Sequence, residues 1–163
     1  MCPSKQRRAA IDVALSTLNN RERCCAEMRV WLAERHYSEV EVEEAMAELV
    51  GSGAIDDERY ARLFAEDKRE LSGWGAERIR LSLVERGIDG ETAERAGGTG
   101  GGYAAELERA IGLLERRGEG LDDDSSRARA LGFLTRRGYE FELAHAAISA
   151  TENGQPQHRY FAG

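Results

Sequence analysis

The sequence predicts an all-α protein built from three tandem three-helix repeats, and three observations carry that expectation. The only prolines, Pro3 and Pro156, lie near the ends, so the interior is free of the strongest helix breaker. Ala, Leu, Glu and Arg dominate between them, and these are strong helix formers. A shift of 51 residues superposes the chain on itself in six ungapped columns. The columns are Leu32/Leu83/Leu134, Arg35/Arg86/Arg137, His36/Gly87/Gly138, Tyr37/Ile88/Tyr139, Val42/Ala93/Ala144 and Ala45/Ala96/Ala147.

Each copy reads as three helices in order. The first carries Ile11, Ala14, Leu15 and Leu18 at i, i+3, i+4, i+7, a pattern repeated by Tyr60, Leu63 and Phe64 and by Leu107, Ala110, Ile111 and Leu114. The second follows from Cys25, Met28 and Leu32, then Ala76, Ile79 and Leu83, with Leu134 as the third copy's anchor. Gly87 and Gly138 stand where such a helix ends in a left-handed residue, and His36 takes that place in the first copy. The third helix starts at once. Ser38 to Glu41 fits a capping box, Asp89 is a good N-cap, and Val42, Ala45, Met46 and Leu49 form the apolar face. These limits give repeats over 9–53, 54–97 and 103–150, a glycine-rich hinge at 98–102 and a flexible tail at 151–163.

Composition excludes several function classes. The formal net charge of −7 argues against a general sleeve for a phosphate backbone. Cys2, Cys24 and Cys25 form no C-x-x-C pair, so neither a zinc site nor a disulfide framework is indicated. No apolar run approaches the ~20 residues of a membrane span, and the first residues lack an apolar signal core. A cytoplasmic protein with no membrane contact is expected. The glycine run lacks the preceding strand and following lysine of a phosphate loop. Asp56-Asp57-Glu58 and Asp122-Asp123-Asp124 read as helix starts, because they lack the alternating ligand spacing of a calcium loop. His36, His145 and His158 stand in no nucleophile motif, so no enzyme, metal or cofactor is expected. Trp31 and Trp74 are read as packing residues.

The arginines are the candidate binding residues. Arg78 and Arg86 lie on the second helix of the middle copy, Arg129, Arg136 and Arg137 on its counterpart in the third, and Arg116 and Arg117 end the helix before it. Guanidinium groups suit carboxylate and phosphate recognition. The competing reading is a solvated face balanced by Glu77, Glu85 and Glu115.

The segment Gly53-x-Ile55-Asp56-Asp57-x-Arg59-Tyr60-Ala61 resembles the central motif of the RecX family. Phe64, Arg69, Gly75, Ile79, Leu83 and Gly87-Ile88 follow at that family's spacing, and Phe133 to Tyr139, with Leu134 and Gly138, resembles its C-terminal repeat. The similarity spans roughly residues 9 to 150. The resemblance implies three-helix repeats in an extended, curved array that bind the groove of the RecA filament on single-stranded DNA. It further implies inhibition or tuning of ATP hydrolysis, strand exchange and repressor autocleavage, with no catalytic residue and no cofactor. On this reading the protein is a monomer whose partner is the RecA filament, with the single-stranded DNA inside it as a possible contact. The alternative is a helix-turn-helix-like DNA-binding protein that acts without RecA; it would need a basic recognition helix, whereas Glu39, Glu41, Glu43, Glu44 and Glu48 crowd one of the helices concerned.

Overall fold

A computed structural model describes residues 3–98 and 100–154. Among these all regular structure is helical: α1 Pro3–Leu18, α2 Cys25–Ala33, α3 Glu39–Gly51, α4 Asp57–Ser72, α5 Ala76–Glu85, α6 Gly90–Gly98, α7 Gly102–Arg117, α8 Asp124–Arg136 and α9 Phe141–Gly154. Two compact units result. The first joins the chain up to Phe64 with Leu81–Glu94, and the second joins Ala65–Arg80 with Arg95 onward. The middle triplet, α4 to α6, is thus divided between them.

In the first unit α1, α2 and α3 pack on one another around Ala10, Ile11, Ala14, Met28, Leu32, Val42, Ala45, Met46, Leu49 and Ile55. The second unit has a matching core of Ala110, Leu114, Leu121, Ala130, Leu134, Tyr139, Leu143, Ala144, Ala147 and Ile148, from α7, α8, α9 and the links between them. The apolar stripes read from the sequence are these buried faces. Leu32, Leu83 and Leu134 are all fully buried. Leu15 and Leu63, assigned to the first-helix stripes, instead sit at the edge and stay partly exposed.

The ends of the second helices explain why the repeat columns hold the residues they do. After α5, the Gly87 amide donates to the Val84 carbonyl and the Ile88 amide to the Leu83 carbonyl; after α8, Gly138 donates to Thr135 and Tyr139 to Leu134. This is the Schellman closure, which needs a positive φ at the glycine and an apolar pair between the residue after it and the third from the end. Gly87 and Gly138 supply φ 88° and 86°, and Leu83/Ile88 and Leu134/Tyr139 supply the pairs. His36 holds the same place with φ 65°, the one left-handed non-glycine among the described residues. The capping box at Ser38 is present, with the Glu41 amide donating to Ser38 Oγ and the Ser38 amide to the Glu41 carboxylate. The Thr92 amide donates to Asp89 Oδ1 before α6.

The last helix runs further than expected. Thr151 to Gly154, expected in a flexible tail, instead belong to α9, with Thr151 buried and its hydroxyl donating to the Ala147 carbonyl. The rest of that segment, with His158, lies outside the described residues, as do Cys2 and Thr99 of the glycine run. Gly98 closes α6 and Gly102 opens α7, and arginines donate to one carbonyl near the end of α6 and to one between the two helices. Arg69 Nη2 donates to Ala96 O at 2.6 Å, and Arg109 Nη1 to Gly100 O at 2.7 Å.

Replacing Leu83 with Ala removes a fully buried side chain and one half of a Schellman pair. Urea unfolding of Leu83→Ala will show a loss of about 2–5 kcal/mol. A loss below about half a kcal/mol would show that the residue is not a core anchor.

Candidate partner-binding arginines

The arginines are best read against the way helix ends meet. The first amides of an α-helix and its last carbonyls have no partners within the helix. In the second unit the end of α8 meets the start of α5. The Gly75 amide donates to Arg137 O at 2.7 Å and the Glu77 amide to Gly138 O at 3.3 Å. The amide between them, on Ala76, donates to Glu106 Oε1 on α7 at 2.7 Å. Three donors of α5 are therefore satisfied by the third triplet, and the negative end of one helix dipole lies against the positive end of another.

The first unit repeats this arrangement with different atoms. The end of α5 meets the start of α2, where Cys24 Sγ donates to Arg86 O at 3.3 Å. The Cys25 amide donates to Asp57 Oδ1 on α4 at 2.7 Å. Under the 51-residue shift Cys24 corresponds to Gly75 and Cys25 to Ala76, and Asp57 and Glu106 each lie on the first helix of the triplet that follows. Asp57 is thus a cap for α2 as well as part of the start of α4. Asp56 does what an acidic helix start should, its carboxylate accepting from the Arg59 amide at 3.0 Å.

Close approach adds a steric demand to the conformational one. A Cβ on Gly75 would stand 2.6 Å from the Gly138 carbonyl oxygen, and one on Gly138 would strike the Arg78 backbone nitrogen. A Cβ on Gly87 would lie 2.5 Å from Ala26 Cβ. Ile79 and Leu83 are buried on α5, and Tyr60 on α4 is buried with its hydroxyl donating to Glu27 at 3.3 Å.

Most of the seven arginines are tied to these junctions. Arg86 alone belongs to the first unit, where it pairs with Glu27 at 3.1 Å and lies over the Phe64 ring at 5.0 Å. Arg78 lies over Trp74 at 4.1 Å and donates to Arg136 O at 2.9 Å. Arg137 stacks on Phe133 at 3.9 Å, and Arg117 covers the same ring at 4.6 Å while pairing with Glu119 at 2.7 Å. Arg129 reaches Ser125 and Glu119. Arg116 and Arg136 are exposed and have no ion-pair partner among the described residues. Trp31 and Trp74 carry cation–π contacts, with Arg35 at 3.4 Å above Trp31.

Cys24 and Cys25 are structural. Burial pushes both thiols up, Cys25 to about 11 with the Asp57 carboxylate adding to it, so neither forms a thiolate near neutral pH. No group of three or more His, Cys, Asp or Glu suited to a metal occurs among the described residues. Sequence reasoning missed Glu106, Arg69, Arg109 and the cysteines as junction residues. The usable signal was the start of α2 and α5 behind Cys24 and Gly75, neither of which has a side-chain oxygen to accept from the first helix amides, which implied that an acceptor had to come from elsewhere.

Alanine scanning of left-handed glycines separates strain from docking. Gly53 and Gly118 have positive φ with nothing near a Cβ, so alanine there will cost about 1–2 kcal/mol of strain alone. Gly138→Ala will cost visibly more in chemical denaturation, because the α5 backbone must also move. Equal losses at the three positions would mean that the α8–α5 junction is not tightly packed.

Comparison with known proteins agrees with this architecture. Residues 56–96 match the family model for RecX, second three-helix domain. A regulatory protein RecX of Trichlorobacter lovleyi is 32% identical over 134 residues, covering 80% of this chain and 87% of the relative. One from Thermus thermophilus is 32% identical over 147 residues, covering 90% and 95%. The crystal structure of RecX from Lactobacillus salivarius superposes with a TM-score of 0.83 over 92% of this chain and 99% of that one, at 19% identity, which shows the shared fold. Relatives this similar over nearly their whole length show that the chain belongs to the RecX family of regulatory proteins.

Proposed function

We propose that this chain binds the filament RecA forms on single-stranded DNA and lowers its ATP hydrolysis, strand exchange and coprotease activities, as a cytoplasmic monomer and without catalysing a reaction of its own. Membership of the RecX family over nearly the full length carries the reading. The surface adds a physical reason. A protein of net charge −7 needs a local cationic region to approach phosphates and carboxylates, and Arg116 and Arg136 in the second unit are exposed and uncommitted. Arg137 is a poorer contact, since its guanidinium is stacked on the Phe133 ring. A DNA-binding protein acting alone finds less support, because Glu39, Glu43, Glu44 and Glu48 are all exposed on α3. No helix among the described residues is long and apolar enough to cross a membrane.

Reversing both exposed charges, Arg116→Glu with Arg136→Glu, will leave the thermal melt nearly unchanged, since exposed charges contribute under ~1 kcal/mol. The same change will weaken inhibition of RecA-dependent ATP hydrolysis by about tenfold, equal to ~1.4 kcal/mol of binding. Wild-type potency in the double variant would remove these two arginines from the binding surface. Inhibition that fails even for the wild-type chain would remove the proposed function itself.

A further inference from the structure

The first unit holds a groove of about 550 Å³ for which the helix junctions give no reason. That size lies within the roughly 300–1,000 Å³ of pockets that bury a ligand or several side chains. Its lining comes from α2 and its flanks and from the end of α5, all within that unit. Glu27, Val30, Trp31 and Glu34 recur at i, i+3, i+4, i+7, so they share one face of α2. Val30 is 59% exposed on that face, with Trp31 half-buried beside it.

The charges along the groove are unevenly paired. Three guanidinium groups line it, on Arg21, Arg23 and Arg86. Glu27 accepts from Arg21 at 3.3 Å, from Arg86 at 3.1 Å and from the Tyr60 hydroxyl at 3.3 Å. Arg23 has no such partner: it makes no hydrogen bond or ion pair among the described residues and lies 5.6 Å from the centre of the Trp31 ring. Glu34 and Glu85 also line the groove, exposed and without a side-chain partner among the described residues. They stand at the ends of α2 and α5, where the helix dipole is already negative.

This pattern selects a class of occupant. A nucleic-acid strand carries a charge at every phosphate and would set some of them against Glu34 and Glu85. A polypeptide can present one carboxylate and follow it with an uncharged side chain. Arginine and tryptophan are also the residues that most often anchor protein–protein interfaces.

We propose that the groove docks a segment of a partner protein, which brings an aspartate or glutamate to Arg23 and an apolar side chain to Val30 and Trp31. The inference rests on the filament reading above and gives the groove to the protein of that filament, not to its DNA.

Co-sedimentation with RecA filaments on polythymidylate tests it. Arg23→Glu will melt close to wild type, because the Arg23 side chain makes no hydrogen bond within the fold, while its filament affinity falls about tenfold. Arg23→Lys keeps the charge and will stay within about threefold of wild type. Val30→Ser, at an exposed position, will lose about threefold as an apolar contact is removed. Arg29→Gln, outside the groove, will bind as wild type. Oligothymidylate alone will bind Glu34→Gln with Glu85→Gln no more tightly than wild type. Wild-type filament affinity in Arg23→Glu, or tighter oligothymidylate binding by the double glutamine variant, would overturn the inference and leave the filament reading standing. A wild-type chain that does not sediment with the filament would overturn both.

Discussion

Everything in this fold depends on how unpaired helix ends find partners. Short helices of nine to sixteen residues leave a large share of their backbone groups unsatisfied at the termini. A small helical protein cannot leave many of these inside, since each buried unpaired group costs on the order of 1–3 kcal/mol. Here the carbonyl end of one second helix is laid against the amide end of another, and a carboxylate from the neighbouring first helix completes the set. The same geometry appears twice, once with Cys24, Cys25, Asp57 and Arg86 and once with Gly75, Ala76, Glu106 and Arg137.

Junctions of this kind also account for the helix ends that meet no other among the described residues. At its start α8 has a complete capping box of its own: the Ser126 amide donates to Asp123 Oδ1 at 2.6 Å, and Asp123 N to Ser126 Oγ at 3.2 Å. At the end of α2 the left-handed position is filled by His36, an exposed residue. Glycine is demanded where a neighbouring helix approaches, as at Gly87 and Gly138, and a histidine suffices at an exposed position.

The helices, their buried faces and the left-handed stops were legible because each leaves a local mark: period 3.6 for the faces, a glycine before Ile88 and Tyr139 for the stops, a capping box at Ser38. The arginine contacts to Ala96 and Gly100 were not, because Arg69 and Arg109 reach those carbonyls only through folding. The arginine set was half legible. Residue type pointed to Arg78, Arg86 and Arg137, yet those three are held by Trp74, Glu27, Phe64 and Phe133. Sequence cannot tell a stacked arginine from a free one. The distinction matters for function, since only uncommitted cations such as Arg116 and Arg136 can turn to a partner without first breaking the fold.

The central claim is that a carboxylate on one triplet caps the second helix of the triplet before it. Amide hydrogen exchange reads this directly at single residues. In wild type the Cys25 and Ala76 amides, each 2.7 Å from its acceptor, will be protected despite their places in the first turn of a helix. Asp57→Ala will speed exchange at Cys25 and leave Ala76 unchanged, and Glu106→Ala will do the reverse. Unaltered exchange at the matched amide in both variants would contradict the account.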